Sequence, residues 1–266
     1  MQTSTSERLA AHLRAVIERT AVDANPFSHQ VLSGPWPEDL YPRLLAALPT
    51  NDYYRPLHHS DARLPDGTSA RLQFPLIDAN IDRLPPPQRD LWREVIRALH
   101  SPAVIEAYRE RFAPDLERLR GVPAGSIRLR PYTTLFRDIG GYRISIHPDS
   151  PRKAITTQFY LPADDSQRHL GTRFHSRAAD GSYSLERTMV FAPNTGYAFA
   201  VTPHSHHSVA TLEPGDRPRD SLMIIINYDR GVLVEGVKSA QKQVRAWVDR
   251  LRGNRTAEAG EGRYES

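Results

Sequence analysis

The sequence predicts a mainly β protein with helical additions, built as a sandwich or a double-sheet jelly roll behind an N-terminal helical layer. Three observations predict it. Up to about residue 121, apolar residues recur at helical spacing. From Ser126 the period shortens to the alternation of strands, in eight short segments divided by turn residues. Beyond residue 236 a helical pattern returns. The expected layout is a helical region over residues 1–125 packing on the core, a β core over 126–235, and a C-terminal helix and tail over 236–266, in one structural domain.

The elements follow in order. Leu9, Leu13, Val16 and Ile17 share one face of a first helix. The segment PWPEDLYPRLLAALP opens on prolines, carries acids early and stops at Pro49, as a second helix would. PPPQRDLWREVIRALH is an amphipathic helix behind a proline run. SPAVIEAYRERFAPDLERLRG has Ser101 as N-cap and Pro102 in its first turn, with a break expected near Pro114. The strands are SIRLRPYTTLFRDI, YRISIH, AITTQFYL, GTRFHS, ERTMVFA, YAFAVT, HSVATL and DSLMIIINY, with breaks such as DIGG, HPDSP, PADDS and EPGDRP between them. KSAQKQVRAWVDRLRGN reads as the last helix, and TAEAGEGRYES as a frayed tail.

Composition narrows the chemistry. With 266 residues, 39% hydrophobic and 25% charged, the chain can bury a core. The net charge of +4 is mild and spread along the chain, which argues against a nucleic-acid partner. No apolar run approaches the length of a membrane span. The first twenty residues read as an amphipathic helix rather than a targeting peptide, so a cytoplasmic location is expected. The absence of cysteine excludes disulfides, thiolate metal sites and cysteine nucleophiles. Any metal must therefore take nitrogen and oxygen ligands.

Such ligands are present. His147 and Asp149 close the strand YRISIH, where Pro148 ends regular pairing and leaves Asp149 free to curl back. A histidine from TPHSHHSV would complete a two-histidine, one-carboxylate triad, the pattern of non-haem Fe(II) oxygenases. His204, His206 and His207 compete for that place, since imidazole chemistry does not separate them. A second His-x-Asp, His59-Ser60-Asp61, lies in a polar stretch with no strand before it and is expected not to bind metal. Arg219 and Ser221, two apart on the final strand, would face the same way. A buried guanidinium there needs an anion, and its fork fits a carboxylate.

In this order, YRISIHPDSPRK, AITTQFYLP, LGTRFH, SHHSV and RDSLMIIIN resemble the Fe(II)/2-oxoglutarate-dependent oxygenase superfamily, small-molecule hydroxylase type, over about residues 126 to 230. The separations from Asp149 to His207 and from His207 to Arg219 match that family. The resemblance implies a double-stranded β-helix (jelly-roll, cupin-like) catalytic core. It implies Fe(II) on His147, Asp149 and His207, the distal carboxylate of 2-oxoglutarate on Arg219 with Ser221, dioxygen as oxidant and ascorbate as an in vitro reductant. Ser208 and Ala200 depart from the residues that many members carry there. Related halogenases replace the acid by a small residue, so the presence of Asp149 disfavours halogenation.

The implied reaction is hydroxylation, desaturation or cyclisation at an unactivated carbon of a small molecule, in specialised metabolism. Arg143, on the strand of His147, and Arg130, sharing a face with Arg128 and Tyr132, are the candidate substrate residues, and they point to an amino-acid-like or carboxylated substrate. The alternative places Arg128 and Arg130 on the outer face against Glu106 or Glu117. Rival functions are a peptide or protein hydroxylase of the same superfamily, a zinc hydrolase and a non-enzymatic jelly-roll binding module.

Overall fold

The computed structural model describes residues 4–57 and 60–229. Helix α1 (Thr5–Arg19) starts where sequence chemistry places it. Ser4 caps it in a reciprocal capping box with Glu7, and Leu9, Leu13, Val16 and Ile17 are buried. After β1 (His29–Ser33) come α2 (Tyr41–Ala46), β2 (Arg55–Pro56), β3 (Arg71–Pro75), α3 (Asp78–Ile81), α4 (Pro86–Leu99), α5 (Pro102–Arg111) and α6 (Ala113–Arg120). Ser101 caps α5, and the break expected near Pro114 falls at Phe112, between α5 and α6. Gly121 closes α6 at φ 68°, a left-handed turn that a side chain would strain.

The strands that follow are β4 (Leu129–Asp138), β5 (Ile144–His147), β6 (Lys153–Tyr160), β7 (Arg173–Arg177), β8 (Tyr183–Thr188), β9 (Thr195–Ala200), β10 (His206–Val209) and β11 (Arg219–Tyr228). They form two antiparallel sheets: a seven-stranded sheet in the order β1-β9-β6-β11-β4-β3-β2 and a four-stranded sheet in the order β5-β10-β7-β8. This is a jelly roll, as the strand pattern predicts. All eight expected strands are present, β8 lying a few residues earlier than ERTMVFA suggests.

The expectation of helices throughout residues 1–125 needs correction. β1 extends one edge of the large sheet, and β3 with β2 extends the other. These strands escaped because they are short and partly polar: HQVLS buries His29 and Gln30, and RLQFP runs from a buried arginine to a proline. The helix expected over residues 238–254 and the tail lie outside the described residues.

Alternation on β11 separates two interiors. Leu222, Ile224 and Ile226 face the helical layer, in one apolar cluster with Leu13, Trp92, Tyr108 and Phe159. Each such aliphatic side chain contributes about 1.5–3 kcal/mol when fully buried. Arg219, Met223 and Ile225 face the other way, into the space between the sheets. A second, aromatic cluster fills part of that space, with Phe27, Tyr160, Phe174, Phe191, Tyr197 and Phe199. The rest of it is a cavity.

Candidate functional site

Three side chains converge at one end of that cavity. The ligating atoms of His147, Asp149 and His207 lie within 4.8 Å of one another, the one such group among the described residues. β5 and β10 bring the imidazoles together, because His147 and His207 are direct cross-strand partners. Their ring centroids are 4.5 Å apart.

The backbone sets the tautomer of both rings. His147 Nδ1 lies 2.8 Å from the Ser145 carbonyl, and His207 Nδ1 lies 3.0 Å from the Ser205 carbonyl. A carbonyl can only accept, so each Nδ1 donates and each Nε2 keeps a lone pair for a ligand. Burial pushes the His207 pKa down to about 4, which outweighs the attraction of Asp149. Its ring is neutral at pH 7, as metal binding requires.

Asp149 sits beside them with its carboxylate held. Lys153 Nζ donates to Oδ1 at 2.5 Å and Thr156 Oγ1 to Oδ2 at 2.7 Å. Burial alone would raise its pKa, but Lys153, His207 and these hydrogen bonds outweigh it and hold the group below its ordinary value. Each oxygen has a further lone pair, so a cation can share the carboxylate with both donors.

The structure separates the three competing histidines. His207 points to the cluster, whereas His204 is exposed. His206 lies on the opposite face of β10, with its ring 5.0 Å from Tyr183. The second His-x-Asp takes no part among the described residues. His59 lies outside them, and Asp61 accepts the Ser145 backbone N–H at 2.7 Å, pinning the strand that carries His147.

Arg219 lines the same cavity, 1% exposed. Its Nη1 donates to Asp138 Oδ2 at 2.8 Å, Nε to the Leu170 carbonyl at 2.7 Å and Nη2 to Thr172 Oγ1 at 3.1 Å. Burial opposes its charge, but Tyr160, Asp138 and Tyr197 more than compensate and its pKa is raised. Three of its five N–H donors are used in these bonds. Ser221 does not line the cavity; it is fully buried behind Gln158, whose Nε2 donates to its hydroxyl at 2.7 Å.

The two candidate substrate arginines are not brought to the cavity. Both Arg143 and Arg130 are exposed. For Arg143 the cause is a β-bulge. Between the paired positions His207–His147 and Val209–Ile144, β5 spends one residue more than β10. The irregularity breaks the alternation, so His147 shares the cavity side with Ile144 instead of Arg143. Arg130 keeps the parity of Tyr132 and Thr134, which line the cavity, but lies beyond its edge.

Several lining residues were given no role by the sequence. Lys153, Thr156, Gln158, Thr172 and Tyr197 line the cavity, whose volume is about 390 Å³. Tyr197 donates to Gln158 Oε1 at 2.6 Å, which ties β9 to β6 across the floor. The alternation of polar residues in AITTQFY was the available signal: Thr156, Gln158 and Tyr160 share one strand face.

No family model matches the sequence, and no curated protein matches it. Among solved structures, the chain is similar to a Pseudomonas putida prolyl-4-hydroxylase, with a TM-score of 0.53 at 16% identity, over 82% of this chain and 99% of that one. It is also similar to an oxidoreductase of the 2OG-Fe(II) oxygenase family from Burkholderia pseudomallei (TM-score 0.47, 14% identity, 87% and 93% covered). A prolyl hydroxylase from Trichoplax adhaerens, in complex with a hypoxia inducible factor peptide fragment, gives 0.47 at 13% identity, with 84% and 90% covered. The likeness to the Pseudomonas enzyme is one of fold.

Proposed function

We propose that the chain is an Fe(II)/2-oxoglutarate-dependent oxygenase acting on an unactivated carbon of a small, carboxylated molecule. One observation carries this reading: two imidazoles with free Nε2 atoms and one buried carboxylate meet in a cavity that a buried arginine also lines. A set of two nitrogens and one oxygen fits Fe(II) on one face and leaves the other positions open. The shared fold with the Pseudomonas prolyl-4-hydroxylase agrees with it.

His147, His207 and Asp149 would hold the iron, and the iron supplies the activation of dioxygen when it is bound. The protein contributes position and shelter. Arg219 would take the far carboxylate of 2-oxoglutarate with its remaining donors, orienting the keto acid before oxygen arrives. Tyr197, Gln158 and Thr172 form a hydrogen-bonded network that joins Arg219 through Thr172. Phe136, Ile144 and Val209 line the cavity with apolar surface that excludes water from the reacting carbon. A zinc hydrolase would need a second acid free to act as base. Asp149 is the one carboxylate lining this cavity among the described residues, and Asp138 behind it is tied to arginines.

The test is succinate formation from 2-oxoglutarate under air, with Fe(II) and ascorbate. Slow uncoupled turnover is expected of the wild type and none of His207→Ala. Hydrolytic activity supported by zinc, with no binding of 2-oxoglutarate, would decide for the hydrolase.

A further inference from the structure

Arg71 has no part in the chemistry above. It lies on β3, in the cavity wall, 9% exposed, with its guanidinium carbon 4.0 Å from the Phe136 ring centroid and 4.9 Å from that of Tyr142. Its Nη1 donates to the Tyr142 hydroxyl, and its Nε lies 3.3 Å from Asp138 Oδ1. Register explains the placement. Arg219 on β11 and Arg71 on β3 are both cross-strand partners of Asp138, one on each side of β4. One fully buried carboxylate thus stands between two buried guanidinium groups.

The charges do not balance. Among the described residues, the charged side chains lining the cavity are three cations, Arg71, Arg219 and Lys153, and one anion, Asp149, with Asp138 buried between the two arginines. On the oxygenase reading, a ferrous ion and the dianion of 2-oxoglutarate add charges that cancel. One positive charge is left over, and a buried charge without a counter-ion is costly.

The surplus falls on Arg71. Arg219 satisfies Asp138 Oδ2 with a direct hydrogen bond. The contact between Arg71 Nε and Asp138 Oδ1 lacks hydrogen-bond geometry, and both atoms remain without a hydrogen-bond partner. The two aromatic rings hold the guanidinium in a fixed plane, which pre-organises its fork. Gln73, two residues on and on the same strand face, adds an amide to that wall, and Leu57 adds apolar surface.

We infer that Arg71 determines substrate specificity by binding a carboxylate of the primary substrate, a small carboxylic acid, while Arg219 serves the co-substrate. The inference rests on the oxygenase reading and names the substrate class of the same cavity. It also restores the acidic substrate expected from the sequence, with a different arginine in the role.

The test uses the protein loaded with Mn(II) in place of iron and saturated with 2-oxoglutarate, so that no turnover occurs. The proteinogenic L-amino acids, each paired with its methyl ester, are titrated by calorimetry into wild type, Arg71→Gln and Arg71→Lys. Wild type binds at least one acid about tenfold or more tightly than its ester, the scale of a charge-assisted hydrogen bond. Arg71→Gln binds that acid and its ester alike. Arg71→Lys, which keeps a counter-charge for Asp138 and so guards against a folding defect, falls between them. Equal binding of acid and ester by wild type overturns the inference. So does a panel in which no acid binds wild type more tightly than it binds Arg71→Gln, or a loss in Arg71→Gln confined to 2-oxoglutarate. Failure of the oxygenase reading is seen separately, as absence of 2-oxoglutarate binding to the Mn(II)-loaded wild type before any acid is added.

Discussion

His147 and His207 are direct partners across β5 and β10, and each has its Nδ1 tied to the carbonyl two residues before it. Two unpaired Nε2 lone pairs beside a buried carboxylate gain most from a shared cation. Removing either imbalances the set: His147→Ala or His207→Ala is expected to weaken Fe(II) binding more than about 100-fold, beyond the loss usual for an outer partner of a metal ligand. Anaerobic Fe(II) titration measures it.

Stability of the metal-free protein depends on pH through His207. Its folded pKa of about 4 lies below the ordinary 6.5 because of burial. The unfolded chain therefore takes up a proton that the folded one refuses between these values. Stability is full above 6.5 and falls as pH drops toward 4, by on the order of 3 kcal/mol for this group alone. Asp149, held below its ordinary value, adds a loss in the same direction at still lower pH. Thermal unfolding of metal-free wild type should show the fall, and His207→Asn should show a smaller one. Equal falls in both would assign the effect to other groups.

Arg219 and Ser221 differ in what their removal costs. Arg219 lines the cavity, and truncating a buried charged partner costs about 2–5 kcal/mol of binding. Arg219→Met should weaken 2-oxoglutarate binding by roughly 100-fold on that scale. Ser221 lies behind Gln158, so Ser221→Ala should change it by less than about tenfold, the upper worth of one neutral hydrogen bond. Equilibrium titration of the co-substrate compares them.

Asp138 is the counter-ion of two buried arginines. Asp138→Asn leaves both without it, and breaking a buried pair from one side costs about 3–5 kcal/mol. Urea unfolding of the metal-free protein at neutral pH should report that loss.

Gly171 stands between Leu170 and Thr172, which both hold Arg219. A Cβ at Gly171 would lie 1.4 Å from the Met189 carbonyl oxygen, a backbone atom that cannot turn aside. Gly171→Ala is therefore expected to cost roughly 3 kcal/mol or more and to displace Arg219. A lowered melting temperature together with weakened 2-oxoglutarate binding checks both parts.

Alternation made the eight later strands legible, because Leu222, Ile224 and Ile226 repeat at the period a two-faced strand imposes. It did not expose β1 and β3, whose buried His29, Gln30 and Arg71 carry polar groups inward. The candidate ligand set was legible as residue types, and the structure brings His207, rather than His204 or His206, beside His147 and Asp149. Parity misled at Arg143, since the bulge in β5 leaves no mark in YRISIH. The pairing of Arg219 with Asp138 was invisible for a similar reason: it depends on the register of β11 against β4, which no local pattern encodes.

The most direct measurement is an anomalous difference map from a crystal grown with Fe(II) under anaerobic conditions, recorded at the iron edge. One dominant peak is expected, bounded by the Nε2 atoms of His147 and His207 and the carboxylate of Asp149. A peak bound by other residues, or none at full metal loading, would contradict it.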